Sequence, residues 1–126
     1  MISFDGFSAE NNVPIYLQII SYIKRGIVSG VITDGDEMPS RRTLSALLGV
    51  NPNTVQKSYA MLEEQGLVHS RAGAKSCVRV SRETVAALRE ELLGEHLQTM
   101  VRAMKQMGMT KEEAQAALGK FWEVTE

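Results

Sequence analysis

Within a few residues of one another the chain carries Asn51, Asn53, Thr54, Gln56 and Lys57, side chains that all donate or accept hydrogen bonds. A carboxamide sets a donor beside an acceptor, the pair that matches the adenine edge in a major groove. Threonine adds a methyl and a hydroxyl, and lysine a charge for phosphate or guanine. A merely solvated helix face would use the same residue types, so the neighbouring residues must decide. Ser40, Arg41 and Arg42 place a hydroxyl and two guanidiniums at what reads as a helix start, where open backbone N–H groups already favour an anion. No acid lies within that helix to pair with either arginine. Arg71 and Lys75 flank Gly73 in the polar run RAGAKS, where a residue without a side chain lets the backbone come close to a groove. An ordinary hairpin turn is the alternative there.

The elements that would position these clusters follow from periodicity. Pro14 at a first helical turn precedes Ile15, Ile19, Ile20, Ile23 and Ile27, a stripe at helical spacing that stops at Ser29-Gly30. VITDGDEMP is turn chemistry. A second helix opens at Ser40, which can cap it, turns Leu44, Leu47 and Leu48 inward, and closes at Gly49. Asn51 is a good N-cap, and Pro52 then falls on the first helical position, where no N–H is required. The proline therefore starts a third helix, running to about Gln65 with Gly66 as its stop. Val55, Tyr59 and Leu62 face its core side, which leaves 53, 54, 56 and 57 outside. Two β-prone pieces follow, Leu67 to Ser70 and Cys77 to Val80.

Two short helices on a tight turn, then a two-stranded piece, is the layout of a winged helix-turn-helix. The fold class expected is mostly α with a small β-wing, spanning residues 1–81 and followed by a two-helix tail over 82–126. In that tail Val85, Leu88, Leu92, Leu93, Leu97, Met100, Val101, Met104 and Met107 mark a long amphipathic helix. Thr110 to Glu113 is a capping box that opens a last helix presenting Ala114, Ala117, Leu118, Phe121 and Trp122.

Composition limits what such a chain can do. At 126 residues and 44% hydrophobic it can form one domain with a small appendage. No apolar run approaches the roughly 20 residues a membrane span needs, and the N-terminus has neither a basic start nor an apolar stretch. The reading is a cytoplasmic protein with no membrane partner. The formal net charge of −1 hides an asymmetry. From Pro39 to Arg82 seven Lys or Arg stand against Glu63 and Glu64, a net of +5, while the remainder holds seven against thirteen acids, or −6. A basic middle of this kind meets phosphates.

An enzyme is not expected. There is no nucleophile elbow, no phosphate-cradling glycine loop and no carboxylate pair in an apolar setting. No cofactor is read. Cys77 has no cysteine to pair with, no metal-ligand spacing is present, and His69 and His96 are isolated. Cys77 reads as a small buried hydrophobe, with a redox-sensitive thiol as the lesser reading.

The run from Asp34 to Ser81, with GDEMPSRRTLS, GVNPNTVQKSY and LEEQGLV, resembles the DNA-binding domain of the GntR family of bacterial transcription regulators. With PIYLQIISYIKRGIVSG the resemblance covers about two-thirds of the chain, and the short tail with MGMTKEEAQAAL is similar to the YtrA-type subfamily. The resemblance implies that Arg42 reaches a base, that Ser40 meets phosphate, that Asn51, Asn53, Thr54 and Gln56 lie in the recognition turn, and that Gly73 lies at the wing tip. The chain departs from the family's usual pattern at Arg41, where Glu is common, at Pro52, where Arg is common, and over AKSC at 74 to 77. It further implies a homodimer on a palindromic operator, acting as a repressor, with transporter genes among the targets. The alternatives are a nonspecific nucleoid-type DNA binder and a winged helix used to bind protein.

Both tail helices are too apolar on one face to stand alone in water. Leu88, Leu92, Leu97, Met100, Met104, Leu118, Phe121 and Trp122 are therefore expected at a dimer interface, in preference to packing on their own winged domain. The methionines at 100, 104, 107 and 109 read first as plain core, and second as an adaptable pocket for a small apolar effector.

Overall fold

A computed structural model of the chain describes residues 1–70 and 75–126. In order along the chain the elements are α1 (Ile15–Ser29), α2 (Arg41–Leu48), α3 (Pro52–Glu64), β1 (Val68–His69), β2 (Cys77–Val78), α4 (Arg82–Gln106) and α5 (Lys111–Val124). They fall into two compact units, Met1–Leu88 and Arg89–Glu126.

In the first unit the isoleucine stripe of α1 packs on α3, which also receives α2 and β1. Ile19, Ile23 and Ile27 of α1, Leu44 of α2, Val55, Tyr59 and Leu62 of α3, and Val78 of β2 are almost wholly withdrawn from water. Each such aliphatic side chain contributes about 1.5 to 3 kcal/mol of transfer free energy. Gly26 lets the turn that follows pack closely on α1, because a Cβ there would press the Ile32 side chain out of its place. The tight link between α2 and α3 depends on Gly49, whose left-handed backbone (φ 66°) ends α2 and sends the chain straight into the cap of α3.

The strands are shorter than the sequence predicts. β1 and β2 pair antiparallel with Val68 opposite Val78 and His69 opposite Cys77. Beyond them Arg79 N–H still reaches the Leu67 carbonyl, but Val80 N–H turns to the Asp34 carboxylate, so the ladder ends there. The segment expected as a simple turn does more. Gly35 and Asp36 exchange backbone bonds with Val78, Met38 N–H donates to Ser76, and Glu37 bridges Cys77, which adds a third rung to the small sheet. The N-terminus, left without a role by its composition, then donates from Ile2 N–H to the Glu37 carbonyl. It buries Ile2 and Phe4, with Phe4 stacked on Tyr22 at 4.8 Å between centroids.

The second unit contains the later turns of α4 and all of α5. Thr110 caps α5 in a full capping box: its hydroxyl accepts from Glu113 N–H, and the Glu113 carboxylate accepts from Thr110 N–H. None of its described residues is buried, and Leu97, Leu118, Phe121 and Trp122 are 47%, 63%, 64% and 76% exposed. Leu88, expected at a dimer interface, is instead 5% exposed within the first unit and belongs to the chain's own core. No helix of the described residues is long and apolar enough to cross a membrane.

Candidate nucleic-acid interface

Both helix starts are built as their residue types require. The Ser40 hydroxyl accepts from Thr43 N–H at 3.0 Å and donates to the Thr43 hydroxyl at 2.7 Å, closing the first turn of α2. The Asn51 carboxamide oxygen accepts from Asn53 N–H at 2.8 Å, with Pro52 at the first position of α3. Asn51 therefore commits its carboxamide oxygen to the cap of the helix.

Past that cap, Asn53, Gln56 and Lys57 are exposed and Thr54 is half-buried, while Val55, Ser58, Tyr59 and Leu62 line the opposite face. The outward face of α3 is thus polar and its back is locked. Ser58 strengthens the lock by donating to the Tyr16 carbonyl of α1 at 3.1 Å. Lys57 does not simply extend into water: its Nζ lies 4.0 Å over the Tyr16 ring, a cation–π contact that restricts where the charge can go. Sequence reasoning missed Tyr16, since nothing local to α3 points to a residue forty positions earlier.

The two arginines at the start of α2 part company. Arg42 is exposed. Arg41, expected beside it as a second unpaired cation, instead lies across the Tyr59 ring at 4.9 Å and donates from Nη2 to Glu63 Oε1 at 3.3 Å. The acid that α2 itself lacks is supplied by α3. Below them the Tyr59 hydroxyl donates to the Pro39 carbonyl at 2.7 Å, and burial holds its pKa far above the ordinary tyrosine value despite the nearby Arg41. Lys75, at the wing, is exposed with Nζ 3.5 Å from Glu37 Oε2. Arg71 and Gly73 lie outside the described residues. Among the described residues no cluster of His, Cys, Asp or Glu could hold a metal ion.

Residues 15–78, half of the chain, match the bacterial regulatory proteins of the gntR family. The chain belongs to the GntR family. Over 114 residues, covering 90% of this chain and 94% of the relative, it is 36% identical to the uncharacterized HTH-type transcriptional regulator YhcF of Bacillus subtilis. It is 35% identical over 75 residues to the HTH-type transcriptional repressor YtrA of the same organism, covering 60% of this chain and 58% of YtrA. Among solved structures, a GntR family transcriptional regulator from Listeria monocytogenes superposes with a TM-score of 0.82 at 30% identity, over 89% of this chain and 98% of that one. The DNA-binding domain of AraR in complex with operator ORR3 matches 57% of this chain and 87% of its own, with a TM-score of 0.50 and 29% identity. This GntR protein is a transcription regulator with a winged-helix DNA-binding domain; it is not an enzyme.

Proposed function

We propose that this GntR protein is a cytoplasmic, sequence-specific repressor that binds a palindromic operator as a homodimer. The observation that carries the reading is the first two turns of α3, where Asn53, Gln56 and Lys57 are exposed over a back face that is locked to α1 and α2. Amides on a rigid helix end read base edges, and Arg42 at the start of α2 supplies a guanidinium for a base or a phosphate. Ser40, Asn51, Thr54 and Lys75, with Arg71 and Gly73 of the wing, complete the contact set. The AraR domain, which matches 57% of this chain, is solved on its operator, and the YtrA relative is a repressor. Transporter genes remain the expected targets on the YtrA-type resemblance.

Dimerisation supplies the symmetry. One winged module buries little surface on DNA, whereas two set about one helical turn apart multiply their affinities. The apolar faces of α4 and α5, open along Leu97, Met100, Leu118, Phe121 and Trp122, fit a partner copy. The methionines serve that core.

Selection of a random duplex library on the purified protein at physiological salt tests the reading. Enrichment of a two-fold symmetric motif is the expected result. Retention of all sequences alike, with a steep loss on adding salt, would make the protein a general DNA coater. No retention at all would turn attention to a protein partner.

A further inference from the structure

One carboxylate joins three parts of the candidate interface. Glu63 Oε1, near the end of α3, accepts from Arg41 Nη2 at the first position of α2, and it also accepts a very short hydrogen bond from the Ser70 hydroxyl. The Ser70 and Ser76 hydroxyls lie 2.5 Å apart and tie the two stems of the wing together. Ser76 in turn gives its backbone carbonyl to Met38 N–H, beside the Pro39 carbonyl that holds Tyr59. Arg41 is drawn in far enough that its Nε is shut off from solvent, with no partner among the described residues. A guanidinium meant for phosphate would be carried outward; this one is packed against a ring and an acid.

We infer that Arg41 and Glu63 are positioning residues, which set the wing stem against the start of α2 and the end of α3, and that Arg41 does not itself contact DNA. The inference rests on the operator-binding reading for its consequence, and on the Arg41–Glu63–Ser70–Ser76 chain for its substance. Arg42 is the next residue after Arg41 and shares the first turn of α2, whose placement this chain sets.

Electrostatics gives the two roles opposite signatures. Loss of a phosphate contact lowers the salt slope of binding by about 0.9, whereas loss of a positioning contact leaves it alone. Loss of an acid close to a polyanion should tighten binding by Coulomb's law, whereas loss of a positioning acid weakens it. The experiment is fluorescence anisotropy over a range of salt, on full-length wild type, Arg41→Gln, Glu63→Gln and the double variant. The duplexes carry the selected motif or a scrambled sequence, and thermal melting of each variant confirms folding. The expected result is a loss of about fivefold or more for the selected duplex in each single variant, an unchanged salt slope, and a double variant no weaker than the singles, as for residues acting through one network. A lowered slope for Arg41→Gln together with tighter binding by Glu63→Gln would overturn it and make Arg41 a phosphate contact. A measurement without DNA separates this from the operator reading. Backbone amide NMR of Arg41→Gln should move Ser70 and Lys75 to Val78, as Glu63→Gln does. Shifts confined to α2 would overturn the positioning chain even if an operator exists. Amide shifts in the wing with no binding by the wild type would instead count against the operator reading alone.

Discussion

For Arg42 and Lys57, both exposed and of one charge, we propose two kinds of work. Arg42 is exposed at the start of a capped helix, where a planar fork can meet a guanine edge in two places. Arg42→Ala should cost about 1 to 3 kcal/mol on the cognate duplex and relax preference at particular base pairs. Equal losses on cognate and random DNA in an anisotropy titration would remove Arg42 from base reading. Lys57, by contrast, is held over Tyr16 and presents a point charge from the side of α3. Its replacement by alanine should weaken all sequences alike and lower the salt slope, which the same titration would check. Arg41 belongs to neither kind, because its partners are Tyr59 and Glu63. With both side chains about a third exposed, at 36% and 35%, that ion pair stabilises by no more than about 1 kcal/mol. Its value lies in geometry.

At the scale of elements, caps decide where helices begin, and the one at α5 has a pH dependence. The Glu113 carboxylate accepts from the Thr110 N–H, and this bond first, with the Thr110 side chain beside it second, holds its pKa below the ordinary glutamate value. A depressed folded-state pKa adds stability above the unfolded-state value, and that stability is lost as pH falls through the folded one. The helical signal of the chain should therefore decline below the ordinary glutamate range. Thr110→Ala should remove about 1 kcal/mol of cap stabilisation and flatten that decline. Circular dichroism against pH would show it, and identical titrations for the two proteins would discount the cap.

Across the whole molecule, the two units differ in what they bury. The first withdraws Ile19, Ile23, Leu44, Tyr59 and Leu62 from water within one chain, whereas the second buries none of its described residues. A helix pair with Leu97, Leu118, Phe121 and Trp122 so exposed gains little from folding alone, and on the proposed dimer it would gain much from a second copy. Light scattering at micromolar concentration should give twice the chain mass. Leu97→Glu with Phe121→Glu should return it to the monomer and lower operator affinity about a hundredfold or more through lost bivalency. A wild-type monomer at those concentrations would defeat the dimer.

Helix positions were legible in the chain because they depend on local chemistry. Proline at the first turn of α3, asparagine and serine at N-caps, and glycine with positive φ after α2 act within a few residues of themselves. The exposed polar face of α3 was legible for the same reason, since helical period alone separates Asn53 and Gln56 from Val55 and Tyr59. What only tertiary structure decided were contacts between groups far apart in sequence. These include the acid that captures Arg41, the ring under Lys57, the third rung added by Glu37, and the N-terminal residues on Tyr22. Leu88 moved from an expected partner surface to the core for the same cause. Helical spacing states that a side chain faces one way, but only the packed elements state what stands there.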